Sequence, residues 1–233
     1  MVYGYKHKDP SKFCKCQSGI SSNPPGWFWS WISNIRIIDL SGNHIEGDIS
    51  GIMLNSSVIN LSSNHFKGQM PQLSANVKEL NIANNSISGP ISTFLCKKMN
   101  RKNKLFGLEA SQNLLSGELP HCWKNLQSLT YLNLGSNSLS GRIPYTMSSL
   151  VALQSLHLQN NSISRDIPSS LQNLSQLKLI DVGENHFQVT IPLWIGQMTS
   201  LRVLCLRSNG FKGHIPLQIC LLSSIRAFIS ALV

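Results

Sequence analysis

Acidic residues are scarce in this 233-residue chain, which carries 10 Asp and Glu against 20 Lys and Arg. The resulting formal charge of +10 would suit a nucleic-acid-binding protein only if the basic residues were clustered on one surface. They are instead scattered, and the one dense run is KKMNRKNK at positions 97–104. We therefore expect no nucleic-acid partner, and interpret the charge as a solvated loop or as attraction to acidic polysaccharide.

Catalytic motifs are missing as well. The chain contains no HExxH, GxSxG, P-loop or GxGxxG sequence, which are short patterns of zinc proteases, serine hydrolases and nucleotide-binding proteins. The protein-kinase motifs are also absent. His7, Cys14 and Cys16 supply only three potential zinc ligands near the N-terminus. The sequence therefore predicts a protein that is not an enzyme and holds neither cofactor nor metal.

Long hydrophobic runs are missing from both ends of the chain. Residues 1–18 contain no apolar core of a secretion signal, and we expect them to form an irregular leader. The final apolar segment, AFISALV, is far too short to cross a bilayer. The sequence therefore predicts no membrane span within this chain.

What the chain has in abundance is a repeat. Residues 129–144, LTYLNLGSNSLSGRIP, follow the pattern LxxLxLxxNxLxGxIP, which returns three times at intervals of 24 residues. Four looser copies lie upstream, separated by steps of 21, 21 and 28 residues. A period in this range is typical of leucine-rich-repeat solenoids. The eight copies cover about residues 34–219 and are anchored by Asn43, Asn64, Asn85, Asn113, Asn137, Asn161, Asn185 and Asn209.

Each column of the repeat has a physical role. The LxL segment predicts a short strand whose alternate side chains point inward, and stacking of successive coils builds one continuous core. The repeated asparagine can satisfy turn backbone groups in its own coil and the next. The Gly-x-Ile-Pro segment turns the outer side of the coil. We predict an α/β solenoid with parallel strands on the concave face, and irregular turns and short helices on the convex face.

Four segments follow from this register. Residues 1–18 form the leader, 19–33 a partial repeat, 34–223 the eight repeats, and 224–233 a tail in which the pattern stops before LxLxxN. The partial repeat contains Trp27, Phe28, Trp29 and Trp31. These aromatic residues can form a sugar-binding platform or close the open end of the first coil, and we favour the second interpretation.

The phrases PPGWFWSWIS, LSGELPHCW, LGSNSLSGRIP and RSNGFKGHIPLQIC carry a family resemblance. Together with LxGxIP, they resemble the plant extracellular class of leucine-rich repeats, found in receptor-like proteins and receptor-kinase ectodomains. The resemblance implies a non-catalytic recognition module that binds a peptide, a glycan or a co-receptor on its concave face, in defence or developmental signalling. It also implies location on the extracellular side of the plasma membrane, or secretion, and we expect the chain to be the interior of a longer ectodomain.

Two rival hypotheses remain open. The first is that the chain is a secreted enzyme inhibitor, which would resemble the plant polygalacturonase inhibitors built from the same repeat. The Cys-bearing caps that favour this hypothesis are not visible in the sequence. Alternatively, the chain is a truncated fragment without activity of its own.

The candidate ligand-facing residues are the polar positions between the inward leucines. The position four before each asparagine gives a row that is mildly acidic on a basic chain. Asp181, Glu184, Arg202 and Arg207 cluster in the last two coils and are the best candidates. The full set is Asp39, Asn60, Asn81, Glu109, Asn133, His157, Asp181, Glu184, Arg202 and Arg207.

Three further features depend on sequence spacing. Cys96 and Cys122 lie in adjacent coils about 4.8 Å apart, close enough for a disulfide, so they are either bridged or free. Ala110 replaces a core leucine, and Arg165 and Val189 replace the glycine of LxGxIP. N-glycosylation sequons, some of them accidental in so Asn- and Ser-rich a repeat, begin at Asn55, Asn60, Asn84, Asn160 and Asn173.

Overall fold

The recurring LxL segments form short parallel strands in the computed structural model of the chain, which describes residues 22–98 and 103–229. Each strand pairs in register with that of the next coil, as Leu132 does with Leu156. Within the described residues they form a nine-stranded sheet, here called the concave sheet. Its strands are Ile37–Asp39, Val58–Asn60, Glu79–Asn81, Gly107–Glu109, Tyr131–Asn133, Ser155–His157, Leu179–Asp181, Val203–Cys205 and Ala227–Ile229.

We number the coils 1 to 8 by their asparagines, from Asn43 to Asn209. The ninth strand, Ala227–Ile229, lies in the segment that the sequence analysis treated as a tail. It pairs with Val203–Cys205, and Phe228 packs against the core opposite Leu204. A strand forms there without the full motif because pairing needs only backbone groups and one inward apolar side chain.

A second parallel sheet, here called the lateral sheet, is formed by strands that follow the asparagines of coils 1 to 7. From the sequence, we expected only a turn in this LxGxIP segment. The residue two after each asparagine from Asn43 to Asn185 is buried, as Leu139 and Ile163 are, while its neighbours face outward, which is strand alternation. The strands are Glu46–Asp48, His65–Gly68, Ser86–Pro90, Leu114–Glu118, Ser138–Gly141, Ser162–Arg165 and His186–Phe187. A separate two-stranded sheet pairs Met53–Leu54 with Gln72–Leu73.

Short helices complete the outer side of the coils, as predicted. An α-helix spans Gly26–Ile32, and a π-helical segment spans Thr93–Lys98. The later coils use 3₁₀ turns, four of which follow the proline of the IP motif, whose fixed φ ends the preceding extended segment. These turns are Trp123–Asn125, Tyr145–Ser149, Ser169–Asn173, Leu193–Gln197 and Leu217–Leu221. The predicted fold class, a leucine-rich-repeat solenoid, is confirmed.

The repeated asparagines form a ladder inside the solenoid. In coil 6, Asn161 Nδ2 donates to Leu158 O of its own coil at 3.1 Å and to Leu134 O of coil 5 at 3.0 Å. Its Oδ1 accepts from Leu139 N at 2.9 Å. Coils 2 to 8 repeat this arrangement. The amide therefore links its own coil to the preceding one, and not to the next as we expected, because its side chain points back across the turn.

The three departures from the repeat have different structural outcomes. Ala110 is fully buried in the core. Arg165 adopts φ 71°, where the corresponding Gly141 has φ 76°, so Arg165 occupies a left-handed conformation that costs a residue with a side chain about 1–2 kcal/mol. At Val189 the lateral sheet has already ended, at Phe187, and only the isolated bridge of Thr190 with Lys212 continues it. Loss of the glycine thus causes backbone strain at Arg165 in coil 6, and coincides with loss of strand pairing at Val189 in coil 7.

A disulfide joins Cys96 to Cys122, with 5.5 Å between their Cα atoms. It links the outer segments of coils 3 and 4, and Cys96 lies within the longest step of the repeat, between Asn85 and Asn113. Cys205 is buried and Cys220 is exposed, and both are free thiols. His7, Cys14, Cys16 and the leader as a whole lie outside the described residues.

The aromatic residues before the first repeat are divided between two environments. Phe28 and Trp29 pack against the core, and the Trp29 ring lies 5.9 Å from that of Phe66. Trp27 and Trp31 are 62% and 52% exposed. Two of the four rings thus cover the first coils, and two face solvent. In the described residues, no helix has both the length and the hydrophobicity to cross a membrane.

Candidate ligand-binding site on the concave sheet

Three residues of each coil face outward from the concave sheet, at two, four and six positions before the asparagine. The strand begins six residues before the asparagine, so alternation adds an outward position that the sequence analysis missed. Extending the alternation of LxL backward by two residues would have found it. This row contains Ile37, Val58, Glu79, Gly107, Tyr131, Ser155, Leu179, Val203 and Ala227.

Most predicted residues in the row four before the asparagine are held by their own backbone. A side-chain oxygen of each accepts the backbone N–H two residues further on, at 2.9 to 3.2 Å. These half-buried polar groups therefore have fixed positions without a ligand, which reduces the entropy lost on binding. The residues are Asp39, Asn60, Asn81, Glu109, Asn133 and Asp181.

The centre of the sheet carries a hydrogen-bonded cluster. Tyr131 Oη donates to Glu109 Oε2 at 2.6 Å, and Asn133 Nδ2 donates to the same oxygen at 2.9 Å. Burial, followed by the hydrogen bond to Glu109, raises the pKa of Tyr131 to about 12. The phenol therefore remains a donor at physiological pH and holds the carboxylate of the neighbouring coil.

His157 extends this cluster into coil 6. Its Nε2 lies 2.8 Å from Ser155 Oγ, and its ring is 5.6 Å from the Tyr131 ring. Burial lowers the pKa of His157, and the charges of Asp181 and Glu109 partly oppose this shift. One surface thus extends across three adjacent coils. We call it the central cluster; it consists of Glu109, Tyr131, Asn133, Ser155 and His157.

Ser155, His157 and Asp181 are the residue types of a hydrolytic triad, but their geometry differs from one. Asp181 is the cross-strand neighbour of His157, while its Oδ1 accepts from Gly183 N at 3.0 Å. No hydrogen bond joins Asp181 to His157, both of which lie in the described part of the chain. A triad requires that bond, because it orients the imidazole as a general base. These three side chains therefore do not form a catalytic triad.

The four residues expected to cluster in the last coils are only partly brought together. Arg207 Nη2 lies 2.7 Å from Glu184 Oε1, the one salt bridge among the described residues. Both side chains are exposed enough that the pair contributes about 0–1 kcal/mol. Asp181 instead pairs with Cys205 across the strands, and burial raises the pKa of the Cys205 thiol. Arg202 lies before its strand, at the edge of the sheet.

The sequon asparagines differ in their access to solvent. Asn173 is exposed at the end of a 3₁₀ turn. Asn84 and Asn160 are also exposed, but their Nδ2 atoms donate to serine hydroxyls of the preceding coil at 3.2 Å. Asn55 donates to Ser33 O, and Asn60 lies half-buried on the concave sheet. Asn173 is thus the sequon whose geometry best suits a glycan.

Comparison with known proteins gives the same fold and a more specific relationship. Two models of the leucine rich repeat family match the chain, one at residues 108–163 and 152–211 and the other at 34–56 and 76–97. The receptor-like protein EIX2 of Solanum lycopersicum is 37% identical over 119 residues, which are 50% of this chain and 11% of EIX2.

Solved structures are similar over most of the chain. The structure of PEPR1-AtPEP1 has a TM-score of 0.77 and 28% identity, covering 88% of this chain and 29% of that one. A TDR receptor has a TM-score of 0.72 and 24% identity, over 90% of this chain and 41% of the receptor. A plant ice-binding protein has a TM-score of 0.74 and 19% identity, over 93% of this chain and 70% of the ice-binding protein. At these identities, the similarity to the TDR receptor and to the ice-binding protein shows a shared fold alone.

The chain therefore spans less than half the length of EIX2 and of these two receptor structures. Its repeat motif, its two stacked parallel sheets and its matches agree with one another. The chain belongs to the leucine-rich-repeat family, and its repeats are similar to those of plant receptor-like proteins and receptor ectodomains.

Proposed function

We propose that this chain is a non-catalytic recognition module of a plant receptor-like protein, which binds a peptide on its concave sheet and works with a co-receptor. The observation that carries the proposal is the central cluster, whose donors and acceptors are fixed by contacts within and between adjacent coils. A rigid surface of this kind loses little entropy when a partner binds. The same proposal places the chain on the extracellular side of the plasma membrane, or among secreted proteins. It gives the chain a role in defence or developmental signalling.

The relatives support a peptide as the ligand. The similar structures include PEPR1 with AtPEP1, and HAESA with the peptide hormone IDA and the co-receptor SERK1. A peptide lying across several coils would contact the outward row of each strand in turn. The Cys96–Cys122 disulfide fits an oxidising compartment outside the cytosol.

The charge of the concave sheet indicates which kind of peptide it would bind. The outward rows carry the acidic residues Glu79, Glu109 and Asp181, although the chain as a whole has a formal charge of +10. Glu109 and Asp181 both lie close enough to His157 to affect its pKa. A basic side chain of a peptide would therefore be favoured at the centre of the sheet.

The test uses the full chain, secreted from plant cells, as bait for a phage library of random linear peptides. Enriched peptides are then measured by biolayer interferometry against wild type and the variants His157→Ala and Tyr131→Phe. His186→Ala is the matched control, because His186 is an exposed histidine of the lateral sheet. We expect each central-cluster variant to weaken binding by about tenfold or more, as loss of a hot-spot residue does, and the control to bind as wild type does.

Two outcomes would contradict the proposal. Peptides that bind all three variants equally well would place the binding surface elsewhere on the protein. If no peptide is enriched, while a glycan array yields ligands that the His157→Ala variant loses, the concave sheet is a carbohydrate site.

A further inference from the structure

A pair of histidines on the lateral sheet has no part in the proposed function. His44 follows the asparagine of coil 1, and His65 follows that of coil 2. Both side chains are exposed, their rings are stacked at 17° with centroids 5.5 Å apart, and His44 Nδ1 lies 3.3 Å from His65 Nε2. Two unprotonated ring nitrogens at this distance would place their lone pairs close together.

We propose that His44 and His65 bind a zinc ion. Imidazole nitrogen binds zinc at about 2.0–2.1 Å, and tetrahedral zinc holds two such nitrogens about 3.3 Å apart. The observed separation already has this value, so binding requires the rings to turn until both lone pairs point at the ion, but not to move apart. Stacking of the coils fixes the spacing, because the backbone of His65 is hydrogen-bonded to coil 1 through Ile45 O at 2.9 Å.

The charges around the pair are compatible with a cation. Glu46 is the in-register partner of His65 and exposes its carboxylate on the same sheet. Lys67 lies two residues beyond His65, but its own in-register partner is Asp48, whose charge offsets it. The local balance is therefore not cationic, although the chain as a whole is basic.

The remaining zinc positions would be taken by water. Within residues 22–98 and 103–229, no three His, Cys, Asp or Glu side chains are grouped to hold a metal. Tetrahedral zinc has four ligands, so two positions beside the histidines remain for water or for a ligand from a partner. The site would thus connect metal binding to contacts made by the lateral sheet, on a face separate from the concave sheet.

The experiment is isothermal titration of the full chain with zinc chloride. Cys14→Ser and Cys16→Ser are introduced first, so that thiols of the leader cannot bind the metal. His44→Ala and His65→Ala are then compared with His186→Ala. His186 is exposed in the same position of coil 7, where the neighbouring coils have Ser162 and Gly210, so it is a matched single histidine.

We expect the parent to bind one zinc ion per chain at this site. Either His44→Ala or His65→Ala should weaken that binding by about tenfold or more, since even ligand-supporting residues have effects of this size. His186→Ala should bind as the parent does. Zinc should also shift the ¹H–¹³C imidazole resonances of His44 and His65 in the parent, and should leave those of His186 unchanged.

The inference is overturned if the parent binds no zinc, or if the three single variants bind it equally. The ring contact would then be an N–H···N hydrogen bond and nothing more. Circular dichroism of each variant shows whether the solenoid is intact, and the resonance shifts are measured on the unsubstituted histidines. Loss of peptide binding in the His157→Ala variant does not affect this result, so the two proposals fail independently.

Discussion

The asparagine ladder offers a direct test of how the coils are held together. Replacing Asn161 by Ala removes an Oδ1 acceptor and an Nδ2 donor from the buried turn of coil 6. Leu134 O retains a bond from Asn137, and Leu158 O retains one from Asn185. Leu139 N loses its 2.9 Å bond to Asn161 Oδ1. One buried donor is thus left without its partner, while the carbonyls retain other partners.

The magnitude follows from this count. A buried N–H without a partner costs about 1–3 kcal/mol, and the weakened carbonyl bonds add about 1 kcal/mol. We therefore expect Asn161→Ala to lower the free energy of unfolding by about 2–4 kcal/mol. The control is Asn173→Ala, which removes an exposed asparagine and should change stability by no more than about 0.5 kcal/mol.

The assay is denaturant unfolding followed by circular dichroism, after enzymatic removal of any N-glycans. Since repeat arrays can unfold in steps, hydrogen exchange of the segment 137–141 is measured in parallel. That segment should exchange faster in the Asn161→Ala variant. An unfolding midpoint equal to that of Asn173→Ala, with unchanged exchange, would refute the role of the ladder argued here.

Three further predictions concern other parts of the chain. Cys122→Ser, which opens the disulfide to Cys96, should lower stability by about 2–4 kcal/mol, and reducing agent should lower the unfolding midpoint of wild type but not of this variant. Arg165→Gly should raise stability by about 0.5–1 kcal/mol, because relief of the positive φ exceeds the added entropy of the unfolded chain; an unfolding midpoint at or below that of wild type would contradict this. Burial lowers the pKa of His157 in the folded protein, so the unfolded state binds more protons below about pH 6.5. The stability that this residue contributes is present above that pH and is lost as the pH falls through the lowered pKa; His157→Gln should flatten the pH profile of the unfolding midpoint, and an unchanged slope would argue against it.

The fold could be predicted because its repeats depend on local, recurring requirements. Inward leucines such as Leu132 and Leu156 must stack, and Asn137 and Asn161 must satisfy the same turn in each coil. Stacking pressure therefore repeats those residues in the sequence. The lateral sheet was missed because its outward positions are filled by serine and glycine, which carry little strand signal. Its buried Leu139 row was visible all the same, and alternation would have predicted the strand.

The central cluster was harder to predict for a physical reason. Tyr131 and Glu109 lie 22 residues apart and meet only because adjacent coils stack in register, with Tyr131 two places earlier in its strand. Outward positions do not affect the stacking, so no repeat pattern marks them. Once all three outward rows are aligned, the contact follows from spacing alone, as does that between His44 and His65. In a solenoid, the sequence register therefore predicts which side chains meet, and the chemistry of the pair decides what they bind.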